Sequence, residues 1–274
     1  MGCARVAALA LAAAVLLVVA TAAGAEEDAK TLLERSFANL YADDYVQTME
    51  LSTSVGGARP LTRTLQITRK QSVRPGKALV RFLQPFDIRH TSILILENEE
   101  ASDSLYVYLP ALSLTRRLSA AQRADSFFGT DLSYEDIEPK QASDYEVRLV
   151  PRDAATSDAC LPVEWKARPG IESTYERMVS CIEPERAVFH WTDFYRRGKH
   201  LKRLQVDLGK IEPVGERFIP FLMTMRTLRT GSETQVVTLD YELRTDIPED
   251  FFGIRNLESG TADRDRNRAG EKVP

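Results

Sequence analysis

Tyr45-Val46-Gln47-Thr48-Met49-Glu50-Leu51-Ser52-Thr53-Ser54-Val55 runs into Gly56-Gly57. Tyr45, Gln47, Met49, Leu51, Thr53 and Val55 alternate with Val46, Thr48, Glu50, Ser52 and Ser54. That two-residue period belongs to a strand with one face turned to a core. Beyond the glycines, Arg63, Leu65, Ile67 and Arg69 alternate with threonines and Gln66 in the same way. The two segments read as a hairpin with one wet face.

The same pattern continues outward. Ala78 to Leu83, Ile93 to Leu96 and Leu105 to Leu109 are further strands, separated by Arg74-Pro75-Gly76, by Pro85 and by the acidic turn Glu97 to Asp103. Arg116 to Asp136 breaks the alternation, with a short helix predicted at Ala120 to Ala124. Alternation resumes at Tyr145, Val147 and Leu149, then at Val163, Trp165 and Ala167, then from Tyr175 to Ile182. Val188 to Tyr195 and Leu201 to Leu208 form a hairpin around Arg197-Gly198-Lys199. Phe218 to Leu228 and Val236 to Leu243 pair across Thr230-Gly231-Ser232. Ahead of all these strands, Ala29, Leu32, Leu33, Phe37 and Leu40 recur at helical spacing. One helix, then many strands with one interruption, predicts a mainly β fold, an antiparallel sheet curled into a barrel or half-barrel. A sheet this long can enclose a cavity instead of packing solid.

The chain starts like an exported one. Arg5 supplies a positive charge, Val6 to Ala20 an apolar run, and Ala23-Gly24-Ala25 a small-residue cleavage site. Residues 1–25 are therefore expected to be a cleaved signal peptide, the run being short for a bilayer span and without charged flanks on its far side. Cys3 precedes the run, so no lipid-anchored N-terminus is expected. Residues 26–257 then form one domain, and the polar, aperiodic residues 258–274 a disordered tail. Cys160 and Cys181 remain after cleavage, and an oxidising envelope favours one disulfide between them over two buried thiols.

The formal charge of −4 becomes −5 when Arg5 leaves, no footprint for nucleic acid. Neither a nucleophile elbow, nor HExxH, nor a phosphate loop, nor GxGxxG occurs, and His90, His190 and His200 are widely spread. No catalytic residue, metal or cofactor is expected. Asp131, Glu135, Asp136 and Glu138 are the densest carboxylates. A glycosidase pair or a divalent-cation site stands there against turn and cap formers in a solvated loop, and the solvated loop is the expectation. Phe127-Phe128-Gly129, just before them, reads as the edge of a lid, since glycine permits unusual backbone angles. Met49, Leu51, Leu65, Ile67, Phe82, Leu94, Tyr106, Tyr108, Phe127, Phe128, Trp165 and Trp191 are the candidate cavity and lid residues. Arg196, Arg197, Lys199 and Lys202 are candidates for docking to an acidic partner or phospholipid head groups, set against a plain solvated hairpin tip.

Pro85-Phe86-Asp87-Ile88-Arg89-His90-Thr91-Ser92, Tyr106-Val107-Tyr108-Leu109-Pro110, Arg116-Arg117 and Phe128-Gly129-Thr130-Asp131-Leu132-Ser133-Tyr134-Glu135-Asp136 belong together in one further respect. With Asp246-Ile247-Pro248-Glu249-Asp250-Phe251-Phe252, they resemble the outer-membrane lipoprotein-sorting, LolA-like, proteins of Gram-negative bacteria. The resemblance implies an incomplete antiparallel barrel of about eleven strands, with helices over its mouth and a hydrophobic cavity for acyl chains. It further implies a monomeric periplasmic carrier of lipoproteins or lipids, working between an inner-membrane exporter of ABC or RND/MMPL type and an outer-membrane acceptor. A second implied role is a lipid-binding adaptor or sensor for such an exporter. The family's lid-latching arginine falls on Arg69, Arg74 or Arg81.

Overall fold

The computed structural model describes residues 29–259 apart from 73, 99–100 and 153–155. The expected signal peptide and the tail from residue 260 lie outside the described residues. Glu258 and Ser259, assigned to the tail on composition, belong to a short helix.

A first helix, α1 (residues 29–41), buries Ala29, Leu32, Leu33 and Phe37, the predicted helical stripe. Thirteen strands follow in one antiparallel sheet. The first six, β1 (Tyr45–Ser54), β2 (Leu61–Lys70), β3 (Lys77–Gln84), β4 (Ser92–Leu96), β5 (Ser104–Leu109) and β6 (Leu114–Arg117), lie side by side in chain order. The chain then crosses through residues 118–144, called the strap below, to β7 (Tyr145–Leu149) at the opposite edge. It returns through β8 (Leu161–Ala167), β9 (Arg177–Glu183), β10 (Val188–Arg196) and β11 (Lys199–Val206). A separate hairpin of β12 (Ile211–Val214) and β13 (Arg217–Pro220) precedes β14 (Leu222–Thr227) and β15 (Ser232–Leu243). β15 pairs along the whole of β1 and joins the two halves.

Sheet order β6-β5-β4-β3-β2-β1-β15-β14-β11-β10-β9-β8-β7 leaves β6 and β7 as free edges, so the barrel is open. The expected eleven strands become thirteen plus a hairpin. β6 and β12 are four-residue strands, too short for a visible period. The run Phe218 to Leu228 is two strands with different partners, since Phe221 breaks it between β13 and β14. A bulge at Thr48/Met49 against β15 adds twist where the halves meet.

Three large apolar clusters hold the fold, beside a small one around Trp191. On the concave side, α1 packs over β7 to β10, with Phe37 against Trp165 at 5.5 Å and Phe189 at 5.8 Å between ring centroids. A second concave cluster joins Met49, Leu51, Leu65, Val80, Phe82, Ile93 and Val107 to Phe127 and Tyr134 of the strap. Leu132 packs against both. On the convex side, Ile247, Phe251, Phe252 and Leu257 cover Leu79 and Leu94. Those strands are therefore buried on both faces, which explains why β3 and β4 read as continuous apolar runs. No helix among the described residues is long and apolar enough to cross a membrane.

Candidate functional site

The strap is fixed by its own turn and by three carboxylates. Ser126 and Ser133 pair as an antiparallel bridge, and Phe127 O accepts from Thr130 N at 3.2 Å. Phe128 (φ 50) and Gly129 (φ 74) occupy the centre of that turn. Two consecutive positive φ values are the mark of a tight hairpin turn, and Gly129 supplies one of them without strain. The turn drives Phe127, 1% exposed, onto Phe82 (5.5 Å) and beside Tyr134 (5.6 Å), while Phe128 covers Phe82 at 4.5 Å.

The acidic residues beyond are not a solvated loop. Asp131 accepts from Thr227 Oγ1 at 2.5 Å, Thr234 Oγ1 at 2.8 Å and Ser232 Oγ, and so ties the strap to β14 and β15. Glu135 accepts from Ser173 Oγ at 2.5 Å and Thr174 N at 2.7 Å, in the segment leading to β9. Asp136 accepts from Ser133 N at 2.6 Å, Tyr175 Oη at 2.8 Å and the Lys202 ammonium. Burial alone would raise the Asp136 carboxyl; Lys202, Ser133 and Tyr175 outweigh it and hold it below the usual carboxylate range. Each carboxylate faces a set of donors, the arrangement of a structural tether. The composition could not reveal this, because all the donors but Ser133 lie far away in sequence. Among the described residues no group of three or more His, Cys, Asp or Glu could hold a metal ion.

Between strap, α1 and the concave sheet lies a cavity of ≈ 230 Å³. Both halves of the sheet line it. From the first half come Met49, Leu51, Leu65, Ile67, Ala78, Val80 and Ile95; from the second come Trp165, Val188, Phe189, Phe194, Met223, Met225 and Val236. Phe127, Leu132 and Ile137 of the strap and Phe37 of α1 close it over. The polar lining includes Gln47, whose amide donates to Thr238 Oγ1 at 2.8 Å, Tyr41, Tyr45 and Tyr241, and Asp136 and Lys140 of the strap. Burial pushes the Tyr41 and Tyr45 hydroxyls up to about 12, so both stay neutral donors.

Of the residues singled out in the sequence, Met49, Leu51, Leu65, Ile67, Phe127 and Trp165 line this cavity. Phe82 lies directly beneath Phe127, and Phe128 packs over it. Leu94, Tyr106 and Tyr108 face the other way, into the convex cluster, because they occupy the alternate positions of β4 and β5. Trp191 is also outside the cavity, packed on Cys160 and Cys181. Those two cysteines are joined in a disulfide with Cα atoms 5.4 Å apart. Arg196, Arg197 and Lys199 are exposed at the β10–β11 tip, whereas Lys202, 7% exposed, points inward to Asp136 and does not share that surface.

The three arginines also separate, Arg74 standing exposed in the turn between β2 and β3. Arg81 is on the convex side, donating to Asn256 O at 2.6 Å, and burial lowers its guanidinium to about 10. Arg69 lines the cavity, donates from Nε to Tyr41 O at the end of α1 (3.1 Å) and pairs with Glu97. Residues of β10, β14 and β15 that line the cavity, Phe189, Met223 and Val236 among them, were recognisable as strand positions. Their inward direction was not, because it depends on register.

A family model described as an uncharacterized protein matches residues 75–259. The chain belongs to that family. Its fold is LolA-like. A DUF1329 family protein from Desulfovibrio piger superposes with a TM-score of 0.77 at 24% identity, over 85% of this chain and 99% of that one. A putative outer membrane lipoprotein-sorting protein domain from Vibrio parahaemolyticus gives 0.75 at 22%, over 86% and 99%. A LolA superfamily protein from Nitrosomonas europaea gives 0.67 at 19%, over 83% and 98%. No curated protein matches this LolA-like chain in sequence.

Proposed function

We propose that this protein is a periplasmic carrier that takes acyl chains of lipids or lipoproteins into the cavity under the strap and moves them toward the outer membrane. The observation that carries this reading is a concave, largely apolar cavity built from both halves of an open sheet and closed over by the strap and α1. An acyl chain costs about 0.8 kcal/mol per methylene to expose to water, on the order of 10 kcal/mol for a palmitoyl group, so a carrier must offer comparable apolar cover. Lipoprotein sorting in the name of the Vibrio relative is consistent with that role. An exporter of ABC or RND type as donor and an outer-membrane acceptor belong to the same reading.

The cavity is smaller than the ~300–1,000 Å³ common for drug-sized ligands, and we read this conformation as the closed one. Loading requires the strap or α1 to move, and release requires two states only a few kcal/mol apart. Mass spectrometry of protein purified from the envelope, together with uptake of a fluorescent fatty acid, tests the reading. Bound lipid and saturable uptake are expected; an empty protein that ignores the probe would remove it.

A further inference from the structure

One rim of the sheet differs from the rest of the surface. β5, β4, β3, β2, β1, β15 and β14 are consecutive antiparallel neighbours, so the turns after β5, β3 and β1 and before β15 leave the sheet along one rim. The β10–β11 tip adjoins them, since β11 pairs with β14 through Lys202 and Thr227. Val55, Leu61, Phe86, Leu112, Leu114 and Leu228 are exposed on or beside these turns. Single exposed apolar side chains are ordinary. Here, however, more than half of the large exposed ones among the described residues stand on one rim.

Phe86 is the extreme case at 91% exposed. Its turn is well held: His90 N donates to Phe82 O at 2.9 Å, Phe82 N to Thr91 O at 2.9 Å and Thr91 N to Ile88 O at 3.0 Å. Ile88 folds back against the strap cluster, and Phe86, two residues earlier, projects away from it. A rigid loop thus presents a phenyl ring to the surroundings.

The same turns are basic in a chain whose formal charge is −4. Arg59, Arg89, Arg196, Arg197, Lys199 and Arg229 are exposed there against one carboxylate in the turns, Asp87. Of the carboxylates next to them, Glu176 accepts from Gly198 N at 2.8 Å and Glu233 pairs with Arg226 at 3.3 Å.

We propose that this rim is a docking surface for a bilayer carrying anionic phospholipid. Isolated apolar tips spaced along a curved row suit the interface of a fluid membrane, which accepts single side chains wherever they fall. A protein partner would instead need a continuous complementary area of about 800 Å² per side. Basic residues between the tips meet the lipid phosphates, and their attraction is screened within about a Debye length. Docking here would bring the β14–β15 end of the strap, where Asp131 is tied to Thr227 and Ser232, against the membrane face. The proposal does not depend on what occupies the cavity.

Flotation of the full exported protein with vesicles of phosphatidylcholine, alone or mixed with phosphatidylglycerol, tests it. Binding is expected to the mixed vesicles, to be weaker by about tenfold or more on phosphatidylcholine alone, and to be released by salt. A Phe86→Ser, Leu112→Ser variant and an Arg196→Glu, Arg197→Glu, Lys199→Glu variant alter exposed side chains only, and unchanged thermal unfolding verifies their folds. Both are expected to lose binding by about tenfold or more. Equal binding of wild type and both folded variants would overturn the proposal, as would binding to neither vesicle. Recruitment by a membrane protein with no affinity for protein-free vesicles would overturn it as well.

Discussion

The ammonium of Lys202 on β11 and the carboxylate of Asp136 in the strap form a buried ion pair, and Lys202 also donates to Asp131 O at 3.1 Å. One strand side chain thereby holds two points of the segment that closes the cavity. Its loss would leave the Asp136 carboxylate buried with only neutral donors.

Lys202→Met is accordingly expected to lose ~3–5 kcal/mol of stability in urea unfolding, because removing one partner strands a buried charge. A Lys202→Met, Asp136→Leu double variant should recover part of that loss. Amide exchange in residues 118–144 should speed up in the single variant relative to β1 and β15, which keep their ladder. Unchanged strap exchange would show that the pair does not restrain the segment.

Phe127→Ala removes a side chain that touches Phe82, Phe128 and Tyr134. A stability loss of ~3–5 kcal/mol is expected from the lost contacts and the space left behind. Because that space adjoins the cavity, uptake of an acyl probe should persist or accelerate. Loss of uptake in a folded variant would assign Phe127 to cargo contact.

Ile67→Trp works in the opposite direction by filling the cavity from β2. Acyl uptake should fall several-fold while stability changes by ~1–3 kcal/mol, the usual cost of overpacking. Undiminished uptake would mean that cargo sits elsewhere.

The pH dependence follows from Glu138 in the strap. Burial, opposed by Lys140 and Arg123, pushes its carboxyl up from 4.5 to about 7. Between those values the fold keeps a proton that the unfolded chain has released, so stability contributed here is greatest below pH 4.5 and falls as pH rises toward 7. Asp103, raised by burial from 3.8 to about 6, acts in the same direction. Asp136, held low, acts oppositely, and its contribution is lost as pH falls through its folded value. Glu138→Gln should flatten the decline in melting temperature between pH 5 and 7. An identical slope in wild type and variant would exclude Glu138 as its source.

Reducing the Cys160–Cys181 bridge, which closes 21 residues, is expected to lower stability by about 3 kcal/mol. The bridge packs with Trp191 away from the cavity, so probe uptake should survive. An unchanged melting temperature under reductant would contradict the bridge.

Most of the architecture could be read from alternation. Met49, Leu51, Leu65 and Ile67 reach the cavity because their strands keep one apolar period, and Phe127 because Gly129 marks a turn. Alternation failed where both faces are covered. Leu94 is buried and Tyr106 and Tyr108 are half-buried, but in the convex cluster under Phe251 and Phe252 and not in the cavity. The tethers failed for another reason: nothing near Asp131 or Asp136 in sequence announces Thr227, Ser232, Tyr175 or Lys202, which only the sheet brings to them.

The strap connects the sheet's two free edges, β6 and β7, in a single length of chain. Drawn straight, residues 118–144 would reach about 90 Å, so the link has slack. A closed barrel must rip ladder hydrogen bonds to admit a bulky guest. Here the sheet can spread along its unsewn seam with every ladder intact, resisted chiefly by the ties of Asp131, Glu135 and Asp136, by Arg123 on Asp103 O and by the packing of Phe127, Leu132 and Tyr134. The largest guest is then set by how far the chain pays out, not by the circumference of the sheet.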